Sequence, residues 1–222
     1  MTLRRETVAE QSAELLRAQM LAGQLRPGDL VTEDAMAKEI GISRPTMREV
    51  LGALVVEGLL TRNPSTRVLH VTRVTEQEIR EIYIVRRLLE LAGVDAMKSQ
   101  ALSALAPLET ATRELADAVA AGDRPGVARA DIRCHLATVG LVGSPDLVDF
   151  YLRQLTKLEL AMAEGMRSPA ELEVAQEVHV TFLQLLREGR TQEAREQLET
   201  RLNEAEADQI AIIQGKKGRV AS

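Results

Sequence analysis

Residues 33–60 constrain the fold of this chain most strongly, because they predict two short helices joined by a tight turn. Ala37 and Ile40 are apolar in helical register, and Gly41 can end the first helix because glycine adopts a positive φ at little cost. Ser43 predicts the start of the second helix, since its hydroxyl can accept a hydrogen bond from a free amide of the first turn. Two helices at this spacing are typical of a helix-turn-helix that binds DNA.

The second predicted helix carries its charges where a DNA-reading helix needs them. Arg44 and Arg48 lie four residues apart near its N-terminus, with Thr46 beside them, whereas Met47 and Val50 face inward. Arginine can bind guanine O6 and N7 with two hydrogen bonds, and the amides at a helix N-terminus favour phosphate. The alternative is an ordinary helix whose arginines are solvated, and the spacing alone does not decide between the two.

Composition excludes several classes of protein. With 45% hydrophobic residues, 2% aromatic residues and no Trp, the chain favours helices packed through aliphatic side chains, and hence a mainly α fold. Cys134 is the single cysteine, so an internal disulfide framework is excluded. The first residues lack an apolar secretion segment, and no run approaches the roughly 20 apolar residues of a bilayer span. We therefore expect a cytoplasmic protein that does not enter a membrane.

The net charge of −5 is distributed unevenly along the chain. A boundary near Arg73 divides it into residues 1–73, with 10 Lys plus Arg against 9 Asp plus Glu, and residues 74–222, with 18 against 24. The acidity therefore belongs to the second part. A DNA interface needs only a local basic face, so the acidic total does not exclude one; the candidates are Arg44, Arg48, Arg62, Arg67 and Arg73.

The segments around residues 33–60 predict supporting elements. Residues 7–22 form an amphipathic pattern whose apolar stripe is Val8, Leu15, Leu16 and Met20. Leu30 and Val31 predict a short extended piece. Two β-prone segments, residues 59–62 and 67–71, flank an Asn-Pro-Ser turn, which indicates a β-hairpin wing that can lie along DNA.

From Thr75 onward the pattern is helical, with short breaks at glycine, serine and proline. Six helices are predicted, at residues 76–98, 102–121, 124–142, 146–166, 170–188 and 192–213. The short connections favour an antiparallel six-helix bundle. The remaining tail, with Lys216, Lys217 and Arg219, is expected to be a frayed basic end.

Three side chains of the predicted bundle suggest a ligand site. Asp131 and His135 lie four residues apart on one helix, and His179 lies on another helix with an apolar face. A carboxylate and two imidazoles are a reasonable set of ligands for Zn²⁺ or a similar divalent ion. The alternative is that they are partly buried polar residues bonded to neighbours, and the spacing alone favours this simpler interpretation.

Residues 20–60, MLAGQLRPGDLVTEDAMAKEIGISRPTMREVLGALVVEGLL, resemble the winged helix-turn-helix of GntR-family bacterial transcription regulators. The residues in register with the family pattern are Met20, Gly23, Leu25, Pro27, Gly28, Ala37, Ile40, Gly41, Ser43, Arg44, Arg48, Leu51, Leu54, Gly58 and Leu59. The wing departs from that pattern, because Arg67 stands about where the family usually has a glycine. The resemblance implies a winged helix-turn-helix DNA-binding domain over residues 1–73.

The second part, residues 74–222, resembles the helical effector domain of the FadR-like branch, in its FCD subgroup. Asp131 and His135 fit its D-x-x-x-H pattern, Gly143-Ser144-Pro145 approximates its G-N-P, and His179 fits its next histidine. Arg201 stands where the subgroup places its last metal histidine. Two alternatives follow: Arg201 binds a carboxylate directly, or Asp131, His135 and His179 bind a metal whose coordination water completes.

The helix after the wing also keeps the subgroup's Arg-then-Glu pattern, in Arg86 and Glu90. Arg86 is therefore a candidate for facing the effector, although a solvated surface arginine is the alternative. The residues expected at the effector site are Arg86, Asp131, His135, His179 and Arg201.

We interpret the chain as a homodimeric transcription regulator and not an enzyme: a repressor that binds a palindromic double-stranded DNA operator and responds to a small carboxylate effector. The expected DNA contacts are Ser43, Arg44, Thr46, Arg48 and Arg67. No cofactor is certain; the metal alternative predicts Zn²⁺ or Ni²⁺ at Asp131, His135 and His179. One rival is a metal-dependent hydrolase or lyase built on those three residues, which lacks an obvious nucleophile or general base. Another is a helical adaptor whose winged domain binds protein, against which Arg44 and Arg48 weigh.

Overall fold

The structure, a computed structural model, describes residues 7–162 and 169–215. Contacts divide the chain into two units. The first comprises Met1–Thr75 with Thr156–Glu164, and the second comprises Glu76–Leu155 with Gly165–Ser222. No sequence pattern indicates that residues 156–162 group with the first unit.

The first unit is a winged helix-turn-helix, as the sequence predicts. Its elements are α1 (Val8–Leu21), β1 (Leu30–Val31), α2 (Glu33–Ile40), α3 (Arg44–Val56), β2 (Leu60–Arg62) and β3 (Leu69–Val71). The predicted hairpin forms through the antiparallel pairing of β2 with β3. The extended piece at Leu30 also pairs antiparallel with β3, so the sheet has three strands in the order β1-β3-β2.

Local signals set the ends of these helices. Thr7 and Glu10 form a capping box at the start of α1, and Thr32 accepts a hydrogen bond from the Ala35 amide at the start of α2. Gly41 ends α2 with a φ of 80°, a left-handed conformation that glycine adopts without steric cost. The connection between α2 and α3 is therefore as short as a helix-turn-helix requires.

The predicted apolar stripe of α1 is wrong for two residues. Leu16 and Met20 are fully buried, but Val8 and Leu15 are exposed. Ser12 takes a buried position because it lies one turn before Leu16, and its hydroxyl donates a 2.7 Å hydrogen bond to the carbonyl of Val8. The polar side chain is thus satisfied within the helix, which lets it lie on the face that packs inward.

The core of the first unit is aliphatic. It is built mainly from the buried faces of α1 and α3 and from the sheet. Leu160, from the later segment that groups with this unit, adds to it. Its fully buried members include Leu16, Met20, Met47, Val50, Leu51, Leu54 and Leu59. Met47 and Val50 face inward as predicted, and Arg44 and Arg48 are left on the outer face of α3.

The second unit is helical over its described residues. Its elements are α4 (Glu76–Ala96), a 3₁₀ turn (Leu102–Leu105), α5 (Ala106–Ala121), α6 (Arg124–Gly140), α7 (Pro145–Met162, whose last residues group with the first unit), α8 (Pro169–Arg187) and α9 (Thr191–Ile213). These bounds agree closely with the predicted helices and confirm the mainly α class. The predicted end of the fourth helix at Met166, the break at Ser168 and the basic tail from Lys216 lie outside the described residues.

Helix α4 packs closely against α6 and α9 in the interior of this unit. Gly93 of α4 lies so near the backbone of Thr138 on α6 that a Cβ at residue 93 would overlap its carbonyl oxygen. Glycine therefore permits the approach of the two helices that carry most of the predicted effector residues. No helix in the described part of the chain is long and apolar enough to span a membrane.

Candidate nucleic-acid interface and effector site

The N-terminus of helix α3 is exposed and is capped by Ser43. The Ser43 hydroxyl accepts a 3.3 Å hydrogen bond from the Thr46 amide, and the two hydroxyl oxygens lie 2.8 Å apart. Pro45 occupies the first turn, where its missing N–H costs nothing. Ser43 and Thr46, both predicted DNA contacts, are therefore engaged with each other and fix the start of the helix.

The two predicted reading arginines project from the first two turns of α3. The side chains of Arg44 and Arg48 are 68% and 69% exposed. Neither is simply solvated, because each forms an ion pair with the first turn of α2. Arg48 binds Glu33 through two nitrogens, and Nε of Arg44 lies 2.9 Å from Oδ1 of Asp34.

The turn of the wing is organised by Asn63. Its side-chain oxygen accepts hydrogen bonds from the amides of Ser65 and Thr66, and its backbone pairs with Arg67 and Val68. Arg67 has a φ of 62°, the one positive value among the described residues other than glycine. An L-residue is strained in this conformation. The structure thus explains why a glycine would suit this position.

The Arg67 side chain is exposed, and its guanidinium makes no ion pair or hydrogen bond with the described residues. In contrast, Arg62 donates to the carbonyl of Arg67, and Arg73 donates to the carbonyl of Pro27. Arg67 therefore presents a free positive charge at the tip of the wing.

In the second unit, side chains from four helices meet. Arg86 and Glu90 come from α4, Asp131 and His135 from α6, Tyr151 from α7 and His179 from α8. The structure therefore brings together four of the five predicted effector residues and adds Glu90 and Tyr151. We call these six residues the effector cluster.

Arg86 is buried, with 5% of its surface exposed, so it is not a solvated surface arginine. Its Nε donates a 2.9 Å hydrogen bond to Glu90, and its guanidinium lies over the Tyr83 ring at 4.9 Å. Its Nη2 lies 3.1 Å from Nδ1 and 3.0 Å from Nε2 of His135. A donor equally far from both nitrogens lies over the face of the ring, since the Cε1–H bond occupies the plane between them. The in-plane lone pair of His135 is therefore not taken by Arg86.

Glu90 is the centre of the effector cluster and is completely buried. It accepts hydrogen bonds from Arg86, from Nδ1 of His135 at 2.8 Å and from the Tyr151 hydroxyl. Burial raises the pKa of Glu90, but the charges of His135 and Arg86 and the hydrogen bonds that Glu90 accepts outweigh burial and lower its pKa to about 2. Burial and the Glu90 charge raise the pKa of Tyr151 well above its ordinary value, so Tyr151 donates as a neutral phenol.

The ionised state of Glu90 fixes the orientation of His135. A carboxylate can only accept, so Nδ1 of His135 carries the proton and Nε2 points toward Asp131. A buried carboxylate that orients a histidine in this way is a common support of metal ligands.

Asp131, His135 and His179 have the geometry of three metal ligands. Each offers one ligand atom within 4.8 Å of the other two. Nε2 of His135 lies 3.8 Å and Nε2 of His179 lies 3.6 Å from carboxylate oxygens of Asp131, and the two rings meet edge to face. These separations exceed hydrogen bonds and match the spacing of oxygen and nitrogen ligands around one divalent ion, whose bonds are about 2 Å long. The residues present therefore fit a metal.

Arg201 is not brought into the effector cluster by any direct bond. It is half-buried on α9 and makes no ion pair or hydrogen bond with the described residues. Gln197, one turn earlier on the same face of α9, donates to the carbonyl of Val178 at 3.5 Å. Arg201 therefore lies on the side of α9 that faces α8, the helix of His179.

Sequence reasoning did not assign Tyr151 to the site and used Glu90 only as part of a pattern. The one signal for Glu90 is its spacing of four residues from Arg86, which places an acid and a base on one helix face. Tyr151 carries no comparable signal, because its contact with Glu90 joins residues that are distant in sequence.

Two family models match the chain. The model described as "FCD domain" matches residues 81–204, and the model described as "Bacterial regulatory proteins, gntR family" matches residues 8–69. The first covers more than half of the chain. Together the two matches extend from α1 through most of α9.

Curated relatives are named as HTH-type transcriptional regulators. An uncharacterized HTH-type transcriptional regulator, YdhC of Bacillus subtilis, is 30% identical over 86 residues, which are 39% of this chain and 38% of that protein. An uncharacterized HTH-type regulator of Agrobacterium vitis is 32% identical over 115 residues, 49% of this chain and 66% of that protein. The chain thus spans less than two thirds of each of these relatives. Their names do not favour the hydrolase or lyase hypothesis.

Two solved structures have a similar fold. A GntR-type transcriptional regulator from Rhodococcus sp. RHA1 is 25% identical, with a TM-score of 0.80 over 91% of this chain and 97% of that one. McbR/YncC of E. coli is 23% identical, with a TM-score of 0.74 over 96% of this chain and 100% of that one. The second likeness shows the fold alone.

Proposed function

The chain belongs to the gntR family of bacterial regulatory proteins, with an FCD domain as its helical part, and we propose that it is a cytoplasmic repressor controlled by a small organic acid. It is a DNA-binding transcription regulator by family. The observation that carries the proposal is the effector cluster, in which a buried carboxylate holds His135 so that its Nε2 faces Asp131 and His179.

The exposed N-terminus of α3 is the part that reads the operator. Arg44 and Arg48 are long enough to reach base edges in the major groove, and the positive end of the helix dipole at the Ser43-capped N-terminus favours phosphate. Arg67, at the tip of the wing, contacts the backbone or minor groove with its free guanidinium. These contacts form a small interface with DNA. A single winged domain buries too little surface for tight specific binding.

A homodimer supplies the second reading head, and a palindromic operator matches its twofold symmetry. The second unit leaves apolar side chains exposed that a partner can cover: Ile84 and Leu88, one turn apart on α4, are 52% and 68% exposed. We expect light scattering to report a dimer at micromolar concentration. A protein that is monomeric both free and on DNA contradicts this part of the proposal.

The effector is a small carboxylate bound at Asp131, His135 and His179 with the help of Zn²⁺ or Ni²⁺. Three protein ligands leave coordination positions open, which carboxylate oxygens of an effector can fill when the ion is bound. Glu90 accepts the hydrogen bond from Nδ1 of His135, so Nε2 is the nitrogen aimed at the ligand position. An effector that binds one conformation of the dimer better than the other shifts operator affinity by that difference in binding free energy.

A variant of Arg201 distinguishes this metal-bound arrangement from one in which the effector binds without a metal. Calorimetric titration of the metal-stripped protein with Zn²⁺ and Ni²⁺ should give one site per chain that is lost in His179→Ala and tightened in Arg201→His. Metal binding by Arg201→His but not by the wild-type protein contradicts the metal arrangement. It supports instead a carboxylate held by Arg201 through a bidentate pair.

Repression is tested by a mobility shift with the operator fragment and a panel of small mono-, di- and tricarboxylates. We expect one class of acid to release the DNA from the wild-type protein and not from His179→Ala. Release by no acid, with or without Zn²⁺, contradicts the effector class. Lower transcription of the adjacent genes in a deletion strain contradicts the assignment as a repressor.

A further inference from the structure

The two reading arginines are held by acidic residues at the start of α2. Arg48 binds Glu33 with Nε at 3.0 Å from Oε1 and Nη2 at 2.9 Å from Oε2. Arg44 binds Asp34 with Nε at 2.9 Å from Oδ1. All four residues lie in the first unit.

Both carboxylates bind the Nε side of a guanidinium. Guanidinium offers two edges that can each make paired hydrogen bonds, one with Nε and Nη2 and one with the two terminal nitrogens. Glu33 takes the first edge of Arg48 with hydrogen bonds, whereas Asp34 forms an ion pair with Arg44 on the Nε side. Among the described residues the terminal edge of each arginine has no partner, and that edge can bind O6 and N7 of guanine.

These ion pairs contribute little to stability. The four side chains are between 36% and 69% exposed, and exposed pairs are screened by water and salt. The hydrogen bonds from Arg48 lower the pKa of Glu33, with the charges of Arg62 and Arg44 adding to the effect, so Glu33 stays ionised at neutral pH. A persistent charge pair with little stabilising effect, placed on the DNA-reading surface, points to a role in recognition.

We propose that Glu33 and Asp34 form an acidic clamp that sets the selectivity of Arg48 and Arg44 for operator over non-specific DNA. Non-specific binding rests on phosphate, and a carboxylate beside each guanidinium repels phosphate. A guanine edge carries no net charge, so the carboxylate repels it far less and also holds the arginine in place for it. The clamp thus weakens phosphate-only contacts more than base contacts.

This inference rests on the proposed operator binding, so its test uses two duplexes of equal length. One carries the site that the wild-type protein selects from a random-sequence library, and the other carries the same bases scrambled. The variant is Glu33→Gln with Asp34→Asn, which removes two charges and keeps hydrogen-bonding side chains. Affinity for each duplex is measured between 50 and 200 mM salt, about the range in which phosphate contacts dominate the change.

We expect the double variant to bind the scrambled duplex about tenfold more tightly, with a steeper salt dependence, and the selected duplex with less than about a threefold change. The ratio of the two affinities therefore falls. Glu49→Gln is the matched control, because Glu49 is an exposed acid beside Arg48 with no ion pair among the described residues. It should change both affinities equally.

Two results overturn the clamp. One is an equal gain on both duplexes in the double variant, which reduces the effect to net charge. The other is an equal loss of selectivity in Glu49→Gln. If the wild-type protein selects no sequence from the library, the proposed function fails instead, and the two failures are distinguishable.

Discussion

Replacing Arg67 by glycine should make the protein more stable and bind DNA more weakly. Arg67 has a φ of 62° at the tip of the wing. Left-handed backbone costs an L-residue about 1–2 kcal/mol, whereas glycine loses about 0.5–1 kcal/mol more conformational entropy than alanine on folding. The net gain is therefore between about 0 and 1.5 kcal/mol. The guanidinium bonds to none of the described residues, so the substitution removes no hydrogen bond or ion pair with them.

Arg67→Gly should also remove one contact between the protein and a DNA phosphate. Each neutralised phosphate contributes about 0.9 to the slope of log affinity against log salt concentration. Arg67→Gly should therefore flatten that slope by about 0.9 per reading head, and affinity should fall most at low salt. The measurements are thermal melting and mobility shift at several salt concentrations.

Two variants separate backbone strain from charge. Arg67→Lys keeps the charge and the strain, so it should melt like the wild type and keep its salt slope. Arg67→Asn removes the charge, and asparagine tolerates the left-handed conformation, so it should share the weakened DNA binding of Arg67→Gly. A lower melting temperature in Arg67→Gly, or an unchanged salt slope, refutes the reasoning.

Four predictions concern the effector cluster and the packing of the helices that carry it. Glu90→Gln leaves the charge of Arg86 buried without its carboxylate and should cost about 3–5 kcal/mol in urea unfolding, against less than about 0.5 kcal/mol for the exposed Glu81→Gln. The pKa of Glu90 is about 2 in the folded state against an ordinary 4.5, so ionised Glu90 should stabilise the fold by on the order of 3 kcal/mol above pH 4.5, and this stabilisation should disappear as pH falls toward 2. Unfolding measured across an acid titration should show this loss of stability in the wild type. The same loss in Glu90→Gln would contradict the assignment to Glu90. Tyr151→Phe removes a hydrogen bond to that carboxylate and should cost about 1.5–3 kcal/mol by the same unfolding assay, an unchanged value being the contrary result. Gly93→Ala should cost at least about 1–3 kcal/mol in thermal melting, because its Cβ overlaps a backbone oxygen of α6, and wild-type stability would show that the helices can separate freely.

Local signals were sufficient to predict most of the fold. Ser43 caps α3 and Gly41 ends α2 in the left-handed conformation, and both follow from short-range backbone chemistry. The apolar stripe of α1 was only half predicted, because Ser12 can be buried once it bonds within the helix. That bond is invisible to a hydropathy pattern, which counts serine as polar.

The candidate site was predicted only in part, because its main contacts are long-range. Asp131 and His135 share one helix face, so their proximity follows from spacing. The bond from Tyr151 to Glu90 depends on how α7 packs against α4, which no spacing encodes. The pairing of Glu33 with Arg48 likewise depends on the angle between α2 and α3.

The central claim is that α3 reads a specific operator, and the most direct measurement is parallel selection of DNA fragments from the source genome. Wild-type protein and the Arg44→Ala, Arg48→Ala double variant are each mixed with the fragments, and the bound fractions are sequenced. Thermal melting first establishes that the variant is folded. We expect the wild type to enrich fragments that share one palindromic sequence and the variant to enrich none. Enrichment of no shared sequence by the wild type, or of the same palindrome by the folded variant, would contradict the account.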